Sequence, residues 1–155
     1  MVNADGCILV TGANGGLGSA VISHIVQDAT LASRYVGLYA VRRAAVASQL
    51  LSVVQYAPAT HRYDILQSDL SSLASIRELA SDINGRVALG ELPRIRALIL
   101  CAGYQDFESL TMSTDGFEMT WQVNYLANMV LCLLLLQSLD RRHGRILMIG
   151  SWTHE

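Results

Sequence analysis

Short apolar runs alternate along the chain with stretches in which apolar residues recur every third or fourth position. Cys7 to Thr11 reads as a short strand, apolar on both faces. Leu17, Ala20, Val21 and Ile25 then recur at helical spacing. Tyr35 to Val41 reads as a second strand and Ala44 to Leu51 as a short second helix. Tyr63 to Leu66 is a third strand. Leu73, Ile76, Leu79, Ala80 and Ile83 mark a third helix, with Ser71 or Ser72 as its N-cap. Ala97 to Cys101 is the plainest strand pattern of all. Asp115 to Leu139 reads as one long helix and Arg145 to Ile149 as a last strand. The expected loops include His61–Arg62 and Gly85–Pro93. Strands apolar on both faces, alternating with helices, predict an α/β fold with a parallel sheet covered on both sides.

Composition narrows this picture. With 155 residues, 52% of them hydrophobic and 15% charged, the chain suits one domain (1–155) with a sizeable core, and disorder is excluded. A net charge of −2 gives no electrostatic footprint for nucleic acid or an anionic membrane. All eleven positively charged side chains are arginines, so Schiff-base chemistry and lysine phosphate clamps are excluded for this chain. Cys7, Cys101 and Cys132 are far apart, without metal-binding spacing, and read as reduced thiols. No metal is expected. The run Met129–Leu136 is shorter than the ~18 apolar residues of a membrane span, and no signal peptide opens the chain. The expectation is a soluble cytoplasmic protein acting on a small molecule.

The chemistry concentrates in Thr11-Gly-Ala-Asn14-Gly-Gly16-Leu17-Gly18, between the first strand and the first helix. A glycine turn there lets backbone N–H groups and the helix N-terminus face a pyrophosphate. The plainer alternative is a tight turn with no ligand. Arg42-Arg43 ends the second strand with no carboxylate nearby, which suits a 2′-phosphate rather than a 2′-hydroxyl. Solvated charges at a strand end would look the same.

The chain resembles the short-chain dehydrogenase/reductase family, of the retinol-dehydrogenase-like type that includes many enzymes of fungal secondary metabolism. Thr11, Gly12, Gly16 and Gly18 fit its T-G-x-x-x-G-x-G pattern. Asp69-Leu70 is similar to the pair that meets the adenine ring, and Ser71–Arg77 to the start of the third helix. Cys101-Ala102-Gly103 resembles the N-A-G element, with cysteine replacing asparagine. Gly116-Phe-Glu118 and Val123-Asn124 resemble the fourth helix, and Gly144 to Ser151 the fifth strand and the catalytic-serine position. The resemblance implies a Rossmann-like doubly wound sheet in order 3-2-1-4-5, and NADP(H) if a dinucleotide binds.

One part of the pattern is missing. The family's proton relay joins asparagine and serine to a Y-x-x-x-K element after the fifth strand; all six tyrosines here precede Ser151, and there is no lysine. Asn124 and Ser151 would remain as half a relay, and NADP(H) binding could be weakened or lost with the missing part. His154, beside Glu155, either supplies proton transfer or belongs to a frayed tail. Tyr104 either lines a pocket at the sheet's carboxyl edge or packs. Trp152 is a cleft candidate; Trp121 reads as core, and Asn124 as a buried amide needing partners. Ending the sheet at 145–149 leaves an apolar edge, and the helix over 115–139 is apolar on more than one face. A homodimer or tighter assembly through the long helix, with or without the last strand, is therefore expected. Three functions remain open: non-redox catalysis (isomerisation, dehydration or cyclisation) by Ser151, Asn124, His154 and Tyr104; an NADP(H) oxidoreductase completed by another polypeptide or by the rest of its own gene product; and a non-catalytic nucleotide-binding pseudoenzyme.

Overall fold

The computed structural model describes residues 4–151. Five parallel strands lie in the order β3-β2-β1-β4-β5, the order expected. They are β1 (Gly6–Thr11), β2 (Tyr35–Val41), β3 (Tyr63–Gln67), β4 (Ile95–Leu100) and β5 (Arg145–Met148). The helices are α1 (Gly16–Gln27), α2 (Ala29–Arg34), α3 (Ser48–Val54), α4 (Leu73–Ala88) and α5 (Met119–Ser138). Each β1 residue is buried, because one face packs under α1 and α3 and the other under α4 and α5. Ile8, Val10, Tyr39 and Val41 point to the first core with Ile22, Ile25 and Leu50. Cys7, Leu9, Leu38 and Ala40 point to the second with Ile76, Leu79, Leu98 and Leu131. The two-residue period of the strands thus divides one apolar run between two cores.

Several elements differ from the periodicity reading. The buried face of α1 is Gly18, Ser19, Ile22, Ile25 and Val26, whereas Leu17 is 62% exposed and Ala20 is exposed. The apolar residues at 17 and 20 misled because Gly18 and Ser19, which pack against the turn, carry no hydrophobic signal. Helix α2 was not signalled; Asp28 nucleates it by accepting from the Thr30 and Leu31 N–H groups at 2.8 and 3.0 Å. A 3₁₀ turn (Ala44–Val46) precedes α3, which starts at Ser48. Ser72 caps α4, accepting from Ser75 N–H at 3.3 Å. That helix runs through Gly85 to Ala88, where a loop was expected, because Arg86 pairs with Asp64 at 2.5 Å and with Asp82 at 3.5 Å. Gly90 (φ +75°) then ends it.

Helix α5 starts at Met119 rather than at Asp115. Glu118 accepts from the N–H groups of Thr120 (2.8 Å) and Trp121 (2.6 Å) and closes the N-terminus there. Residues 113–117 form a turn about Gly116, whose φ is +82°. Asp115 instead accepts from Leu73 N–H at 2.7 Å, so it serves the start of α4. By length and composition α5 is apolar enough to cross a membrane. Val123, Ala127, Leu131 and Leu135 nonetheless face the core, as in a core helix. Its other side is open: Trp121, expected in the core, is 45% exposed, its ring tilted against those of Phe117 and Tyr125. All four β5 residues are exposed as well.

Candidate functional site

The strand order reverses between β1 and β4, and ligands of open α/β sheets lie at the carboxyl ends of strands at such a point. A cavity of about 1060 Å³ opens there. The glycine turn forms its floor. Gly12 has φ +63°, and a Cβ there would lie 2.7 Å from Ala102 Cα. Only glycine allows both the left-handed backbone and this approach of β1's end to β4's end. Thr11 seals the same junction, its Oγ1 accepting from Ala102 N–H at 3.3 Å. Gly18 fits α1 against the turn, since a Cβ there would meet Gly12 O at 2.2 Å. A Cβ on Gly16 meets nothing within 4 Å. Among the described residues no side chain caps the start of α1, whose first residues line the cavity.

The remaining wall comes from other strand ends. Arg42 and Arg43 follow β2, both exposed and both lining the cavity. Among the described residues neither arginine forms an ion pair. Ser68, Asp69, Leu70 and Ser71 follow β3. The Asp69 carboxylate accepts from Ser71 N–H (2.9 Å) and Ser71 Oγ (2.7 Å), and its own N–H donates to Ser75 Oγ at 3.0 Å. This turn holds the chain between β3 and α4 in one shape. Cys101, Ala102, Gly103 and Tyr104 continue the lining after β4. Burial pushes the Cys101 thiol above its ordinary value, which disfavours the nucleophilic thiolate.

Sequence reasoning missed Met119 and Val123, which approach the same space from the start of α5. Only packing of that helix over β4 brings them there. It also missed Gln122, a fully buried amide that donates to Asp115 Oδ2 at 2.7 Å and to Leu70 O at 3.5 Å. A glutamine flanked by tryptophan and valine was the available signal.

Asn124 differs from the expectation: it is exposed, not buried, and its amide is committed. Its Oδ1 accepts from Tyr104 N–H and its Nδ2 donates to Tyr104 O, both at 2.8 Å. Both bonds hold the Tyr104 backbone at the cavity wall. Asn124 lies in a π-turn (Gln122–Leu126), whose wider register frees carbonyls. Asn128 recovers two of them, donating to Val123 O at 3.3 Å and Asn124 O at 3.0 Å. The Tyr104 hydroxyl reaches Asp106 at 3.5 Å. Ser151 is exposed beyond β5. His154, Glu155 and Trp152 lie outside the described residues. The structure thus brings together the glycine turn, Arg42, Arg43, Asp69, Leu70, Ala102, Gly103 and Tyr104 around one cavity. Asn14 and Leu17 line it too.

Residues 6–154 match the family model described as short chain dehydrogenase. The chain is 48% identical over 156 residues to short-chain dehydrogenase iccH of Talaromyces variabilis, covering 99% of this chain and 43% of that protein. It is 32% identical over 150 residues to retinol dehydrogenase 13 of Homo sapiens, covering 95% of this chain and 41% of that one. It therefore spans about two fifths of the length of these curated relatives. A blue fluorescent protein from a metagenomic library, solved in complex with NADPH, superposes with a TM-score of 0.71 at 23% identity. That match covers 98% of this chain and 58% of the other, and shows the shared fold.

Proposed function

This chain belongs to the short-chain dehydrogenase family, and on that premise we propose that it binds NADP(H) as the dinucleotide-holding part of an oxidoreductase. The observation that carries this reading is the placement of Arg42 and Arg43 on the same cavity as the uncapped start of α1. The cradle fits the cofactor: a Cβ at Gly12 would close the turn, and Gly16 leaves open space beside it. The α1 N-terminus would hold the pyrophosphate and the arginines the 2′-phosphate. Asp69 and Leu70 would border the adenine, and Ala102, Gly103 and Tyr104 the far end. Bound NADP(H) supplies the hydride. The chain's own residues orient the dinucleotide and hold Tyr104 through Asn124.

Calorimetric titration with NADPH and NADH tests the reading. The wild type is expected to prefer NADPH. Arg42→Ala with Arg43→Ala should weaken NADPH by about 10- to 100-fold, the worth of a charged hydrogen bond, and NADH little. A wild type that binds neither nucleotide, or prefers NADH, overturns it.

A second reading rests on Tyr104, which lines the cavity and whose hydroxyl reaches Asp106 Oδ2 at 3.5 Å. In it the same cavity performs isomerisation, dehydration or cyclisation, with Ser151, His154 and Tyr104 handling protons. Turnover of substrate without change in nicotinamide absorbance would support it, and dinucleotide binding without any turnover would support a regulatory pseudoenzyme. In each reading the exposed apolar side of α5 (Trp121, Tyr125, Met129, Leu133) and the exposed β5 are the surfaces for a homodimer. A monomeric mass by light scattering at micromolar concentration would exclude that assembly.

A further inference from the structure

We propose that Asn14 is a positioning residue that sets nucleotide preference by fixing the arginine-bearing loop 42–47 to the glycine turn. The proposal rests on the NADP(H) reading above and deepens it.

Helix α3 has only seven residues, and its N-cap, Ala47, has no side chain able to accept a hydrogen bond. A short helix with uncapped N–H groups is marginal by itself. The missing acceptor comes from 36 residues earlier: Asn14 Oδ1 accepts from Leu50 N–H at 3.0 Å. Leu50 is the third residue of α3, where a local cap would normally act. Asn14 also lines the dinucleotide cavity, within the turn that contains Gly12 and Gly16. One amide thus joins the glycine turn to the end of the segment that begins, at Arg42, where β2 stops.

Two weaker ties act alongside it. Gln49 Nε2 donates to Ser19 Oγ at 3.3 Å, and Ala44 N–H to Gln67 Oε1 at 3.4 Å. Both are longer than the Asn14 bond, and Ala44 bonds only one side of the 3₁₀ turn. Arg42 and Arg43 have exposed side chains without an ion pair among the described residues, so their reach depends on where the loop is held. The loop's position relative to the turn sets the spacing between the arginines and the start of α1. A ligand carrying both a pyrophosphate and a 2′-phosphate senses that spacing. One carrying only the pyrophosphate does not.

The test compares wild type, Asn14→Ala and Asn14→Asp, the last keeping an acceptor at the same reach. NADPH and NADH affinities are measured on the full chain, with amide hydrogen exchange at Leu50. Asn14→Ala is expected to weaken NADPH by about five- to tenfold, the loss of one cap, with NADH changed less than about twofold. Leu50 exchange should accelerate in Asn14→Ala and stay protected in Asn14→Asp, while β1 amides stay protected in both. If Asn14→Ala does not fold, wild-type protection at Leu50 in Asn14→Asp still supports the bond, and its loss there overturns it. A wild type that prefers NADPH while Asn14→Ala loses both nucleotides equally, or neither, overturns this inference alone. A wild type that binds neither overturns the cofactor reading and this inference with it.

Discussion

Two glycines two residues apart should behave oppositely when each is changed to alanine. In Gly18→Ala the new Cβ would lie 2.2 Å from Gly12 O, 2.8 Å from Gly12 C and 3.0 Å from Ala13 Cα. All three atoms are in the backbone or fixed by it, so no side chain can swing aside. Ordinary contact begins at 3.4 Å, so α1 or the turn must shift by about 1 Å. Overpacking of this kind costs about 1–3 kcal/mol. Alanine's better helix propensity returns up to about 1 kcal/mol. The net expectation is a loss of about 1–2 kcal/mol, or about 2–8 °C in Tm for a chain of this size. In Gly16→Ala the Cβ meets nothing within 4 Å, so stability should hold or rise by about 0.5 kcal/mol. That same Cβ projects where a pyrophosphate would approach, so NADPH affinity should fall about tenfold or more. Urea denaturation gives the stabilities and fluorescence titration the affinities. If Gly16→Ala proves the more destabilised, or binds NADPH as the wild type does while Gly18→Ala keeps full stability, the packing and ligand roles are misassigned.

Two further outcomes follow from the cores. Gly37 leaves room for the Tyr39 ring, whose Cζ would lie 2.4 Å from an added Cβ, and Tyr39 donates to His61 Nε2 at 2.8 Å while His61 Nδ1 donates to Ala32 O at 2.9 Å. Gly37→Ala should cost about 2–4 kcal/mol by urea denaturation, and about 1 kcal/mol less in a Tyr39→Phe background; equal costs would mean the ring moves without breaking the bond. The Cys7 thiol is pushed up to about 12 by burial, so the folded chain holds its proton where the unfolded chain releases it. Its stabilising effect is complete below the unfolded value and lost as pH rises towards 12. Alkaline denaturation should therefore be steeper in wild type than in Cys7→Ala, and superimposable curves would refute that linkage.

Much of this could be read along the chain. The strands β1, β2 and β4 are runs apolar on both faces, and such runs have one common solution, a parallel sheet between helices. The glycine turn was legible because Gly12, Gly16 and Gly18 follow a strand and precede a helix. Arg42-Arg43 was legible because the strand before it has a clear end. Less was legible where a side chain bonds a distant backbone. Nothing near Asn14 signals that it caps a helix 36 residues away, nor near Asp115 that it serves α4 rather than α5. Asn124 looked like a buried amide, yet the π-turn rotates it outward onto Tyr104.

The opening alternation of apolar runs and helical spacing thus determined the order of elements, the parallel sheet and the glycine turn between the first strand and the first helix. These depend on period and on local backbone freedom, which neighbours in sequence carry. Tertiary structure decided which face of α1 is buried, where α4 and α5 begin and end, and how loop 42–47 is held. Those outcomes depend on which distant groups meet, and hydrogen bonds and close packing over a few ångströms are set only once the chain is folded.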